Sequence, residues 1–255
     1  HTYWLSKLTP VRAYYSQRNL VWLIQKVFTG RKLRQATARR LGALLLESRK
    51  AMRHCRVFHA EIIRRTADDI VTGRSGKLDD EGPPAVPVLE AFDSAGALKP
   101  EATVLVMCSH AESIQWADDL RQRMRYAMMD AGRIADWPRW VYLVREGVPD
   151  PEPESHSVHA YERPARIVFE ATRGSKWAAQ QPMFHRPPDA VVVFNQHNDF
   201  PLLRSRANIH IDQRRTGVAQ VEVDGFGPRL AFLWRWAGTA LRCGMYILRI
   251  KPYVR

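Results

Sequence analysis

From residue 103 onward the chain repeats one pattern, a short run of apolar residues followed by a longer polar or amphipathic stretch. That alternation restricts its folds more than any other feature. Residues 103–108 read TVLVMC, 140–144 WVYLV and 189–195 DAVVVFN. Each is too short for a helix and has no polar face, as in strands covered on both sides of a parallel sheet. Neighbouring parallel strands need a crossover, commonly a helix, and residues 112–131 have the spacing of one. An α/β domain is therefore predicted. Residues 166–171 and 217–223 are expected to add strands, and residues 200–210 and 229–251 to form helices.

The chain before residue 78 is built differently. Val21, Ile24, Val27 and Phe28 recur at helical spacing and Thr29-Gly30 supplies a stop, so residues 18–28 predict a short amphipathic helix. A longer helix is predicted over residues 32–71, where Leu41, Leu44, Leu45, Ser48, Met52, Cys55, Ile62 and Ile70 mark one side. Between residues 72 and 100 lie Gly73, Gly76, Gly82, Pro83, Pro84, Pro87, Gly96 and Pro100, a density of breakers that reads as a connection. The expected organisation is a basic helical extension over 1–77, a Pro/Gly-rich linker over 78–100 and an α/β domain over 101–255.

Charge follows the same division. Residues 1–77 hold 17 Lys and Arg against Glu47, Glu61, Asp68 and Asp69, so the whole formal charge of +13 resides there. Residues 78–200 have 12 basic and 19 acidic groups, and residues 201–255 ten and three. Basic ends thus enclose an acidic middle. A polyanion lying against the ends gains counterion release. A membrane surface uses the same charge, but Arg outnumbers Lys, and the guanidinium fork suits phosphate and base stacking. The residues expected to contact RNA or an acidic partner are Arg34, Arg39, Arg40, Arg49, Arg53, Arg56, Arg64 and Arg65, as phosphate clamps rather than base readers.

Signs of catalysis are sparse. Cys55, Cys108 and Cys243 lack CxxC spacing and are expected to be reduced and mostly buried; His54, Cys55 and His59 form no recognised metal pattern, and no metal or cofactor is expected. Ser109-His110 follows the first strand, but without a glycine-rich turn or a nucleophile elbow, so Ser109 is read as a helix cap. Residues 196–199 (QHND) likewise read as capping, and residues 224–228 (DGFGP) as a turn lacking the order of a dinucleotide fingerprint. Trp234 and Trp236 flank Arg235 as a base-stacking surface would, whereas Trp116, Trp137 and Trp140 read as core or junction residues. No apolar run reaches the length of a spanning helix; the nearest, residues 230–250, is interrupted by Arg235, Arg242 and Arg249.

The order of these elements resembles the small-subunit ribosomal protein family number two over about residues 101–228. Residues 102–113 (ATVLVMCSHAES) stand where that family has a strand and a small-residue turn opening a helix. Residues 186–195 (RPPDAVVVFN) resemble its Pro-Asp entry into a hydrophobic strand, and residues 203–224, with Ala207 on a helix and Gly217 opening a strand, resemble the family's next helix and strand. The resemblance implies a Rossmann-like domain that binds ribosomal RNA and neighbouring ribosomal proteins without catalysis. The family's Arg-Trp-Leu-Gly-Gly run is not evident near Trp140, its Pro-Gly-Asn-Asp turn would fall on Ala237-Gly238-Thr239, and residues 146–157 are too few for its helical hairpin. Such remodelling, with a basic helix added in front, points to an organellar ribosome, hence the mitochondrial matrix. The expectation is a non-enzymatic constituent of the mitochondrial small subunit that is not an obligate homo-oligomer. Its alternatives are a Rossmann-like enzyme of nucleotide or acyl substrates using His110 or Asp224, and a protein-only scaffold of an organellar complex.

Overall fold

The structure, a computed structural model, describes residues 10–54, 56–78, 83–149, 164–169, 186–194, 205–211, 217–223 and 225–250. In chain order the elements are α1 (Pro10–Val27), α2 (Gly30–Arg53), α3 (Val57–Thr72), β1 (Ala85–Pro87), α4 (Val88–Ser94), β2 (Thr103–Cys108) and α5 (Ala111–Asp130). A 3-10 turn (Ile134–Asp136), β3 (Arg139–Arg145), β4 (Ala165–Phe169), β5 (Ala190–Phe194), β6 (Ala207–Ile211), β7 (Val218–Val223) and α6 (Phe226–Arg249) complete it. Two compact units result, Pro83–Val223 and His1–Gly82 together with Asp224–Arg255.

The first unit is α/β. Its seven strands form one mixed, mostly parallel sheet in the order β1-β7-β6-β5-β2-β3-β4, flanked by helices in the Rossmann-like manner. The run from β6 to β4 is parallel throughout, and β7 joins β6, and β1 joins β7, antiparallel. Because side chains alternate along a strand, Val104 and Val106 of β2, Trp140 and Tyr142 of β3 and Val192 of β5 share one face. They pack there with Phe92 of α4 and Ile114, Leu120 and Met124 of α5. The alternate residues Leu105, Val141, Leu143, Val191 and Val193 are buried as well, which explains why these strands show no polar face in the sequence. Each such fully buried aliphatic side chain contributes roughly 1.5–3 kcal/mol. The Tyr142 hydroxyl finds an acceptor in Asp118 Oδ1 of α5 at 2.8 Å.

The second unit is helical. Val21 of α1, Leu41 and Leu44 of α2, Ile63, Ala67 and Ile70 of α3 and Cys243 of α6 form one buried cluster, and Ala51, Met52, Ala60 and Phe232 a second. At its edge the Tyr14 hydroxyl donates to Asp69 Oδ2 at 2.8 Å. Arg18 lies over the rings of Tyr14, Tyr15 and Trp22 and donates to the Gly76 carbonyl at 2.8 Å.

Four sequence expectations are corrected. The helix expected over 32–71 is two helices, α2 and α3, separated at residues 54–56, where the Arg56 amide donates back to the Ala51 carbonyl. A single helix would hold Leu41 and Ile70 about 44 Å apart, whereas the break places them in one core. Residues 78–100 are more than a linker, since β1 pairs with β7 and α4 sends Ala91 and Phe92 into the sheet core. Residues 207–211 form β6 instead of lying on a helix, as the ribosomal resemblance also implied for Ala207. The alternation of Ala207, Ile209 and Ile211 puts all three inward while the backbone pairs with β5 and β7. Finally, α6 falls outside the α/β domain assigned to residues 101–255. Phe232, Thr239 and Cys243 are buried in the helical unit, because its inward residues complete the apolar stripes of α2 and α3.

Candidate functional site

On α2 the cations gather on one side. At 100° per residue Arg31, Lys32, Arg39, Arg49, Lys50 and Arg53 fall within an arc of about 100°, and all six are exposed. The only acidic residue of α2, Glu47, is buried outside that arc. Burial pushes its carboxyl above the usual range, against a smaller opposing effect of Lys50. Spread over 22 rises of the helix, the face runs about 33 Å. Arg31, Lys32 and Lys50 were not among the expected contact residues. Their signal was present in the sequence as the helical period counted from the basic side rather than the apolar side.

The eight expected arginines divide by environment. Arg34, Arg39, Arg49 and Arg53 are exposed. Arg34 Nε also donates to the Ile250 carbonyl at 3.0 Å, closing the last turn of α6. The Arg49 guanidinium lies 5.7 Å from the centre of the Trp236 ring, whose Nε1 donates to the Leu45 carbonyl. Arg40 is half-buried; burial lowers its pKa, and its buried Nε meets no hydrogen-bond partner among the described residues. Arg56 and Arg64 are buried. Arg64 donates to both oxygens of Glu61 at 2.7 and 3.0 Å and to Thr239 Oγ1 at 2.6 Å. It holds helices together and presents no free fork to a phosphate. Arg65 is half-buried with Nε 3.9 Å from Asp69.

In the sheet, β5 lies at the centre beside β2 and the strand order turns between them, the place where open α/β sheets hold ligands. Ser109 and His110 stand at the carboxyl end of β2, with Ser109 Oγ 2.8 Å from His110 Nδ1. The His110 ring is half-exposed, and its Nε2 lies 3.9 Å from a largely exposed Glu112 carboxylate. That distance leaves the imidazole without a firm third partner. The cap of α5 is His110, one residue beyond the Ser109 expected: its extended backbone N–H donates to Ser113 Oγ at 3.1 Å, while Ser109 turns to the imidazole instead. The His110 ring stands edge-on to Trp116, which meets Phe194 of β5 in the same way.

Asp224, Cys55 and residues 196–199 lie outside the described residues. His59 is buried and His54 half-buried, and no group of three or more metal-ligating side chains occurs among the described residues. Cys108 and Cys243 are free and buried. Of the tryptophan pair, Trp234 is exposed while Trp236 packs against α2, and Arg235 between them pairs with Glu61 at 3.2 Å. A surface cavity of 430 Å³ lies at the amino ends of β3 and β4, lined by Arg121, Trp137, Arg139 and Trp140, opposite the end where the fold places ligands. Among the described residues no helix is long and apolar enough to cross a membrane. No protein-family model, curated protein or solved structure matches this chain.

Proposed function

We propose that the chain is a non-enzymatic structural protein that lays its basic helical unit along RNA, as a constituent of the mitochondrial small ribosomal subunit. One observation carries this reading. The two basic ends of the sequence belong to a single compact unit, which holds 23 basic and eight acidic residues, a net charge of +15; the sheet unit holds 16 and 18, a net of −2. Charge concentrated in this way favours a polyanion at the helices. The exposed face of α2 is its contact surface, with Arg39, Arg49 and Arg53 as phosphate clamps and Arg34 at its margin. Neighbouring ribosomal proteins are the other partners. The ribosomal and mitochondrial assignment rests on the order of the sequence motifs and their remodelling.

The test is sedimentation of the native protein in a gradient of cell extract, followed by RNA binding in vitro. Co-migration with small subunits is expected, and a protein that stays at the top of the gradient removes the assignment. Replacing Arg34, Arg39, Arg49 and Arg53 together by Gln should weaken RNA binding and lower the slope of log affinity against log salt by roughly 3–4. An unchanged slope refutes the interface.

A second reading is favoured by the Ser109 and His110 contact at the strand-order reversal, and it is a Rossmann-like enzyme of nucleotide or acyl substrates. Clear thermal stabilisation by a nucleotide supports it.

A further inference from the structure

The last helix is apolar on two sides. Phe232 and Cys243 enter the helical core, while Phe226, Leu230, Leu233, Trp234, Leu241 and Leu248, on the other side, are 46–83% exposed. At 100° per residue these six fall within an arc of about 100°. Ala237 and Gly244 occupy its middle, and no polar side chain interrupts it. From Phe226 to Leu248 the exposed strip runs about 33 Å. A continuous exposed apolar surface of this kind marks an attachment site.

Charge selects what covers it. Helix α6 contains Arg229, Arg235, Arg242 and Arg249 and no acidic residue; Arg229 and Arg249 flank the apolar arc at about 40° and 60° from its edges, while Arg242 and Arg235 lie about 80° and 100° beyond it, toward the buried side. Arg235 and Arg242 turn instead to α3, where they pair with Glu61 and Asp68. Helix α1 also lacks an acidic residue and exposes Leu23 and Val27. A second copy would bring one unit of net +15 against another, and a nucleic acid would leave the leucines uncovered. The surface of an anionic bilayer satisfies both requirements, since acyl chains take the apolar arc and headgroups the flanking guanidinium groups. The arc is also wider than the two-positions-per-heptad seam of a coiled coil.

We infer that the outward face of α6 lies flat on an anionic lipid surface and anchors the protein peripherally. The helix does not cross the bilayer. This attachment uses α6 and not the arginines of α2, so it stands or falls apart from RNA binding.

The test uses the full chain with vesicles of phosphatidylcholine containing about 30% phosphatidylglycerol, and with vesicles of phosphatidylcholine alone. Co-sedimentation with the anionic vesicles should persist at about 0.5 M salt, where screening suppresses binding by charge alone. Replacing Leu233, Leu241 and Leu248 together by Gln removes exposed side chains only and should lower partitioning by about tenfold or more. As a measurement needing no variant, lipids brominated on the acyl chains should quench part of the tryptophan emission of the wild-type chain. Partitioning that the triple variant leaves unchanged, binding that disappears at high salt, or absent quenching overturns the inference. So does a concentration-dependent dimer that the same variant abolishes, because the face would then be covered by a second copy.

Discussion

Arg64 of α3 donates to Thr239 Oγ1 of α6 at 2.6 Å, joining residues 175 positions apart in one helical unit. Thr239 is fully buried, and the same guanidinium is held by Glu61. A residue that reads in the sequence as one more cation on a basic helix is therefore an internal tie.

Thr239→Val keeps the shape of that side chain and removes the acceptor, leaving one donor of Arg64 unsatisfied. The expected loss is about 1–3 kcal/mol. It should appear as a lower denaturation midpoint with unchanged slope in urea. RNA affinity of the folded protein should not change.

Arg40 separates stability from binding in the opposite direction. Its guanidinium is half-buried, and its desolvation is not repaid at Nε. Arg40→Met is expected to leave stability within about 1 kcal/mol of wild type or to raise it. If an RNA phosphate approaches this edge of α2, the same substitution weakens RNA binding. A melt and a filter-binding titration on one preparation decide the matter, and a loss of several kcal/mol would contradict the assigned environment.

Removing residues 224–255 should affect the helical unit first. Phe232 and Cys243 leave its cores, whereas the core of the sheet contains no residue of α6. Phe232→Ala alone should cost about 3–5 kcal/mol. In the truncated chain, hydrogen exchange should accelerate throughout α2 and α3 while β2, β3 and β5 stay protected. Uniform loss of protection would refute the division.

Burial pushes the Cys108 thiol up to about 12 and the Cys243 thiol up to about 11. Neither should react with iodoacetamide near pH 8.5 until the chain unfolds. A thiol raised in the folded state favours folding while protonated, so its contribution is intact below the ordinary value near 9 and is lost as pH rises toward 11. Cys243→Ala should flatten stability against pH across that alkaline window, measured by urea titration.

Legibility in the sequence varies by element. TVLVMC, WVYLV and AVVVF announce central strands because burial on both faces leaves a continuous apolar run. Residues 207–211 read as part of a helix because ANIHI is short, and its strand character comes from pairing with residues 190–194 and 219–223. The basic face of α2 is legible as composition. That Arg64 of α3 is internal is not, since its partner Thr239 lies 175 positions away in the chain.

The sequence by itself determined the α/β character of the middle, the helical character of both ends and the excess of arginine, because strand burial, helical period and charge are local properties of the chain. Only the tertiary structure decided that the two ends belong to one unit, that Arg56 and Arg64 are internal and that the outward side of α6 is exposed among the described residues. Those outcomes depend on contacts between residues far apart in the chain, and a single helix with an apolar stripe on each side does not state which stripe the fold will bury.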